Sequence, residues 1–317
     1  MDNICPICNS DEIKFLFFKF DWNNKFDFHE CKACHHKYVF PLPTSEELNL
    51  FYNKDYFVPP HQIKKVISKG EYAIKFCDNI EKGSFLEIGC SYGYFMDVFK
   101  GFGGEIEGVE ISEKASEFSR EKGFEVHNLD FQNFHLSKNY NGYFMFDVLE
   151  HLLSPLDILK KIDPFLTKGS QITLTIPNGN SIEFRLLSKY WEWSSPPAHL
   201  HFFTVKSIRT LFEKMGYEIE ELHSYQGDAS GNLFFNLIDG TKRMILFKLG
   251  FLIFGREKFL KRKYEYNLKN KEIEQENISE FSFINGLIHK VSYIFSPLNF
   301  LFRNKNNYPT LFVKAVK

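Results

Sequence analysis

The sequence predicts an α/β protein: a Rossmann-like, mostly parallel sheet, preceded by a small cysteine-rich module and carrying a helical insertion before its last strand. Three observations predict it. From about Gly70, apolar strand-like runs alternate with amphipathic helical runs. The first of these strands enters a glycine-bearing turn and then a helix, and an acidic residue ends the next strand. Four of the six cysteines fall in two CxxC pairs near the N-terminus.

The first element is the cysteine module, residues 1–42. Cys5 and Cys8 form one pair, Cys31 and Cys34 the other. Each CxxC brings two thiolates from one tight turn to the same ion, and two such knuckles complete a tetrahedral set that suits structural Zn²⁺. The aromatic and polar stretch between them reads as a short β-hairpin. So small a module has little core of its own, so metal would supply its folding energy. CKACH (31–35) also matches a c-type haem attachment pattern, but that chemistry needs export, and MDNICPICNS lacks the basic-then-apolar run of a leader. A redox CxxC belongs beside a βαβ pattern, which is missing here. His35 and His36 are expected on the surface. The expected compartment is the cytoplasm, where thiols stay reduced. Residues 43–69 read as a linker whose prolines break regular structure, with Thr44 or Ser45 capping a short helix through Tyr52.

The core, 70–227, follows. SFLEIG (84–89) is the first strand and YFMDVFKGFG the helix after its turn; EIEGVEIS (105–112) leads into a helix capped by Ser112 and stopped by Gly123. FEVHNLD (124–130), YFMFDVLEH (143–151) and QITLTIPN (171–178) hold three further strands, with a helix from Ser154-Pro155 between the last two.

The turn Glu87-Ile-Gly89-Cys90-Ser91-Tyr92-Gly93 carries the strongest chemical signal. Its glycines let backbone approach a ligand, and the new helix offers free N–H groups. Glu110, 21 residues beyond Gly89, can accept from both hydroxyls of a ribose. A dinucleotide site prefers GxGxxG, where the helix start faces a pyrophosphate. An acid at the strand end, as in this ExGxSxG, suits a cationic ligand and repels a pyrophosphate.

Segment 84–178 resembles the class I S-adenosylmethionine (SAM)-dependent methyltransferases. FLEIGCSYGYFMD resembles their first motif, with Ser91 where a second glycine is common; GVEIS resembles the second, VHNLDFQNF the third, and FDVLEHLLSP and LTIPN the fourth- and fifth-strand signatures. The resemblance implies SAM as cofactor, bound by Glu87, Gly89, Cys90, Ser91, Gly93, Glu110, Ile111, Asp130, Phe131 and Asp147. In it Glu110 holds the ribose and Asp130 the adenine amino group. CPIC…CKACHHKYVFPLP…YNKDYF and HLHFFTVKSIRTLFEKMGYEIEEL (199–222) resemble the zinc ribbon, linker and substrate-side segment of a bacterial subgroup that often methylates sugars, nucleotide sugars or other small metabolites. This fold ends its sheet in an antiparallel hairpin. YEIEELHSY (217–225) and YPTLFVKAVK (308–317) would be its strands, the last strand proper being 309–317.

The candidate catalytic residues are Asp147 and His151 after the fourth strand and His199 and His201 after the fifth. Ligands bind at the carboxyl ends of parallel strands, and a base is needed only where the acceptor must lose a proton. The bland reading leaves Glu150 and His151 satisfying local hydrogen bonds. Asp147, Glu150 and His151 could together hold a divalent cation. His199 and His201 would face one side if extended. Trp191 and Trp193 could wall the pocket or simply pack.

Between the last two strands, 228–308 is too long for a hairpin loop and must have its own structure. Its apolar runs, 242–254 and 283–302, are interrupted by Lys248, His289 and Lys290, too soon to span a bilayer. A lid, a homodimer contact or a peripheral membrane contact would bury them. A net charge of -1 speaks against nucleic acid as partner. The expected function is methyl transfer to a small-molecule acceptor, a sugar, nucleotide sugar or glycan precursor. An RNA methyltransferase with a zinc module, or an inactive SAM-binding module, is the alternative.

Overall fold

The computed structural model describes residues 3–21, 24–52, 60–225, 233–255, 257–262, 304 and 306–317. The second apolar run of the expected insertion, 283–302, lies outside them.

Two sheets organise the chain. The N-terminal sheet contains β1 (Ile13–Asp21), β2 (Asn24–Cys31) and β3 (Lys37–Val39). The helix expected after Thr44 is α1 (Ser45–Tyr52); the Thr44 hydroxyl accepts from Glu47 N at 3.2 Å and Glu47 returns a carboxylate oxygen to Thr44 N at 2.8 Å, a reciprocal cap. Helix α2 (Pro60–Ile74) leads to the main sheet.

That sheet contains β4 (Ser84–Ile88), β5 (Glu105–Glu110), β6 (Val126–Asn128), β7 (Gly142–Phe146), β8 (Gln171–Pro177), β10 (Glu218–Tyr225) and β11 (Thr310–Val316), in the order β10-β11-β8-β7-β4-β5-β6. The five strands from β8 to β6 run parallel, and β11 lies antiparallel between β8 and β10. Every residue of β8 is buried, as expected of a strand covered on both faces. On one face Phe85, Phe95, Phe99 and Phe144 pack together, against α2 and α3 (Tyr94–Gly101). On the other, Leu86, Tyr143, Met145 and Leu174 meet α5 (Pro155–Ile162) and α7 (Val205–Lys214). Helix α4 (Glu113–Glu121) starts where expected, with the Ser112 hydroxyl accepting from Ala115 N. Helix α5 has Pro155 at its first turn, but the Ser154 side chain makes no capping bond.

The two sheets are joined. Strand β9 (His201–Phe202), from the segment after β8, pairs antiparallel with β3, placing Tyr38 opposite His201 and Lys37 opposite Phe202. Val39 N donates to Leu200 O at 2.9 Å and Lys214 Nζ to Ile7 O at 3.3 Å. Cys5, Ile7, Cys31 and Cys34 belong to the same buried cluster as Ile208, Leu211 and Phe212 of α7. The cysteine module therefore shares its core with the main domain. This corrects the placement of His36. It is fully buried, stacked on Tyr38 and hydrogen-bonded to His201 (Nε2 to Nδ1, 3.0 Å), because β9 covers it. His35, on the turn, stays exposed.

Helix α6 (Ile182–Leu187) and helix α8 (Leu233–Phe254) pack on each other, and Asn236 Nδ2 donates to Glu183 Oε1 at 3.0 Å. Among the described residues no helix is long and apolar enough to cross a membrane.

Candidate functional site

The turn after β4 is built to lie open at the carboxyl edge of the sheet. Gly89, Ser91 and Gly93 all adopt positive φ (+74°, +48° and +68°). A side chain is strained there, which explains why glycine is common where Ser91 stands. Ser91 is held nonetheless: its N–H donates to Glu110 Oε2 at 2.9 Å, and its carbonyl accepts from the Ser119 hydroxyl. Gly89 has a second reason to lack a side chain, since a Cβ would meet Val148 Cγ2 at 2.8 Å. The turn thus abuts the segment after β7.

Glu110 also accepts from Ser112 N at 2.8 Å, so two backbone N–H groups aim one carboxylate at the turn. Glu87 lies fully inside, and its Oε2 meets no hydrogen-bond partner, nor does the buried Ser91 hydroxyl oxygen. Burial pushes the carboxyl groups of both acids above the usual range; Glu110 raises Glu87 further, while the N–H groups of Ser112 and Ser91 pull Glu110 back. Two acids and an orphaned hydroxyl beside backbone with positive φ fit a cationic, hydroxyl-bearing ligand such as SAM.

The remaining expected cofactor residues divide. Ile111 is half exposed beside Glu110, an apolar surface for a base to lie on. Asp130 accepts from Gln132 N at 2.8 Å, capping a short turn in which Phe131 is buried; Lys161 of α5 ties that turn down through Phe131 O and Gln132 O. The Cys90 thiol is buried. It packs where a Cβ on Gly108 would meet Sγ at 2.4 Å, and burial pushes its pKa well up.

After β7, Asp147 sits at φ +55° and accepts from Thr175 Oγ1 at 3.1 Å and from Lys69 Nζ of α2. Lys69, almost fully buried, was not visible in the sequence: it lies in the charged run IKKVISKGEY, and nothing there distinguishes it from a solvated lysine.

Glu150 and His151 follow on a short helical turn, Leu149–His151. His151 Nδ1 lies 2.8 Å from Ala198 O, and His199 Nδ1 lies 2.7 Å from Trp193 O. A carbonyl only accepts, so both rings carry their proton on Nδ1. The two rings meet edge to face at 4.7 Å. Burial drives His151 below the ordinary histidine range, partly offset by the Ala198 carbonyl and Asp147. Burial also drives the Glu150 carboxyl well up, and Asp147 adds to it.

The cation cluster expected from Asp147, Glu150 and His151 is not the one that forms. Lys69 holds Asp147, and the converging group is Glu150, His151 and His199, whose ligand atoms lie within 4.8 Å of one another. His201 separates from His199. Only His201 enters the extended pairing with β3, where it is fully buried against His36 and its pKa is pushed down to about 4 by burial. Trp191 is likewise packed, against Phe184 and the N-terminal sheet, rather than lining this site.

At the N-terminus, Cys5 Sγ and Cys34 Sγ are 3.5 Å apart, Cys8 Sγ and Cys31 Sγ 3.4 Å, and all four lie within 4.8 Å of one another. A tetrahedron with ~2.3 Å metal–sulfur bonds has edges of ~3.8 Å.

The family described as "Methyltransferase domain" matches residues 61–222, just over half of the chain. Nothing among curated proteins matches the sequence. In fold, the chain is similar to coclaurine N-methyltransferase bound to N-methylheliamine and S-adenosylhomocysteine (SAH), with a TM-score of 0.51, 12% identity, and 87% of this chain and 83% of that chain covered. It is similar to the same degree (TM-score 0.51, 12% identity, 81% and 91% covered) to a chain of the complex between the Haloferax volcanii Trm112 methyltransferase activator and a methyltransferase. The seven-stranded order, the acid-flanked turn and the match over 61–222 agree: the chain belongs to the methyltransferase-domain family and is a SAM-dependent methyltransferase.

Proposed function

We propose that the chain methylates a small polar acceptor of the sugar, nucleotide-sugar or glycan-precursor class. The observation that carries this reading is the pair His151–His199, fixed by the carbonyls of Ala198 and Trp193 after the carboxyl ends of β7 and β8. It is a compact polar site, suited to orienting a hydroxyl or amine. The net charge of -1 disfavours the RNA alternative, because RNA affinity rests on phosphate neutralisation.

SAM, when bound, supplies an electrophilic methyl on a sulfonium. In this reading Glu110 accepts from the ribose hydroxyls, Glu87 faces the cationic portion, and Ile111, Asp130 and Phe131 form the adenine side. Asp147, steered by Lys69 and Thr175, bounds the site towards the acceptor. His151 or His199 takes the acceptor proton at Nε2, which Nδ1 protonation leaves basic; His201 keeps a structural part. Positioning and exclusion of water supply the rest of the acceleration. Cys5, Cys8, Cys31 and Cys34 hold a structural zinc.

The test is incubation of the purified protein with methyl-labelled SAM and, in parallel, a nucleotide-sugar pool, a cell-extract small-molecule fraction and total RNA. Label is expected in the small-molecule fractions. Label in RNA alone would refute the reading.

A further inference from the structure

Glu150, His151 and His199 form a cluster that methyl transfer by a histidine base does not account for. Glu150 is fully buried, and neither carboxylate oxygen meets a hydrogen-bond donor. Its carbonyl accepts from Leu200 N at 2.8 Å, and its carboxyl feels the charges of Asp147, which repels it, and of Lys69, which is already engaged by Asp147. A buried carboxylate without donors is costly unless a cation or a proton joins it. Its neighbours cannot supply a donor through the nitrogen that remains, because both histidines carry their proton on Nδ1, against Ala198 O at 2.8 Å and Trp193 O at 2.7 Å. A backbone carbonyl at one ring nitrogen is the arrangement that orients a histidine for metal ligation through the other. Three acceptor groups, with ligand atoms within 4.8 Å of one another, thus come together from two separate loops.

We propose that Glu150, His151 and His199 bind a divalent first-row transition ion, at a site distinct from the four-thiolate set of Cys5, Cys8, Cys31 and Cys34. Two imidazoles and a carboxylate suit Mn²⁺, Fe²⁺, Co²⁺ or Zn²⁺ over Mg²⁺ or Ca²⁺, which favour all-oxygen sets. Three protein ligands leave positions open for water or an acceptor oxygen. Asp147 stands outside the set, engaged by Lys69 and Thr175. A bound ion occupies both Nε2 atoms, so in the loaded protein neither histidine serves as the base proposed above; the acceptor class is unaffected, and binding of the ion tests the site separately from activity.

The experiment titrates Mn²⁺, which thiolates bind weakly, into the full-length protein as purified, and follows free Mn²⁺ by electron paramagnetic resonance. One Mn²⁺ per chain is expected, with competition by Zn²⁺. Glu150→Gln and His199→Ala should each weaken it by more than about 10-fold, since residues that only orient a ligand already reach 10–100-fold. Asp147→Asn should keep it. SAH binding by calorimetry reports that each variant is folded. No Mn²⁺ bound by the wild type would overturn the proposal, with Glu150 then protonated in place. Equal affinity in wild type and a folded Glu150→Gln would overturn the ligand set.

Discussion

Replacing Glu110 by alanine tests the cofactor site where its geometry is most explicit. The carboxylate holds Ser91 N at 2.9 Å and Ser112 N at 2.8 Å, and it is almost fully buried. In the free protein the change strips two backbone N–H groups of their acceptor, at about 1–3 kcal/mol of stability. In the SAM complex proposed above it also removes the acceptor for the ribose hydroxyls, and hydrogen bonds to a charged group contribute about 1.5–3 kcal/mol. The dissociation constants for SAM and SAH should therefore rise about 10- to 150-fold. Glu110→Gln keeps one acceptor oxygen and should fall between. Calorimetric titration gives the affinities and a thermal melt gives the folding term. A Glu110→Ala protein that melts lower but binds SAM as wild type would place the ribose elsewhere and refute the assignment.

Other consequences can be measured directly. Elemental analysis should find about one zinc per chain in the wild type and none in Cys31→Ser. The substitution should also lower the melting temperature of the whole domain, because Cys31 shares a buried cluster with α7. Retained zinc, or an unchanged melt, would count against that coupling. His151→Ala or His199→Ala should cut turnover by about 10²–10⁴-fold while leaving SAM affinity unchanged; full activity in both would move the chemistry to positioning alone. His201 is held near a pKa of about 4 against 6.5 when free, so the unfolded chain binds the extra proton between these values. Stability present above pH 6.5 should fall on acidification, by about 2 kcal/mol at pH 5, and a denaturant midpoint that stays flat over that range would contradict it.

The main sheet was legible because its determinants are local. Strands such as QITLTIP are apolar throughout, and a turn that needs positive φ at Gly89 and Gly93 declares itself in the residues that tolerate it. Glu87 and Glu110 were legible for the same reason, each at the end of its strand. What escaped depends on pairing between distant segments. His36 and His201 are 165 residues apart, and nothing in CHHK marks the second histidine as interior until β9 lies over it. The same long-range joining ties the cysteine module, read as having little core of its own, into the core of the main domain. His199 and His201 alternate in sequence, but only one of them is in extended pairing, so alternation did not place them together. Several of the 37 phenylalanines build one face of the sheet, with ring centroids such as Phe85–Phe99 and Phe95–Phe144 at 4.8 Å, a packing between distant strands and helices that no local pattern declares.

Helix α8 belongs to the segment read as an accessory insertion, yet its first half is anchored. Leu233, Asn236 and Gly240 are buried, a spacing that places them on one face. Gly240 is where α8 comes closest to α6: a Cβ there would lie 2.4 Å from Leu187 Cδ1 and 2.7 Å from Cδ2. Two effects of Gly240→Ala oppose each other. Alanine gains about 1 kcal/mol of helix propensity, whereas overpacking a filled site costs about 1–3 kcal/mol. Leu187 is itself buried and its methyls can give only partly, so the net change should be small and destabilising. Gly240→Val adds bulk and loses most of the propensity gain, so the packing cost prevails and α8 should lift. Faster amide exchange across 233–254, with SAM affinity unchanged, is the expected result. Leu252→Ala, at a position 82% exposed on the far half, should change neither. If Gly240→Val leaves exchange as in wild type, α8 is not held by this face. The buried bond from Asn236 to Glu183 would then have to anchor it alone.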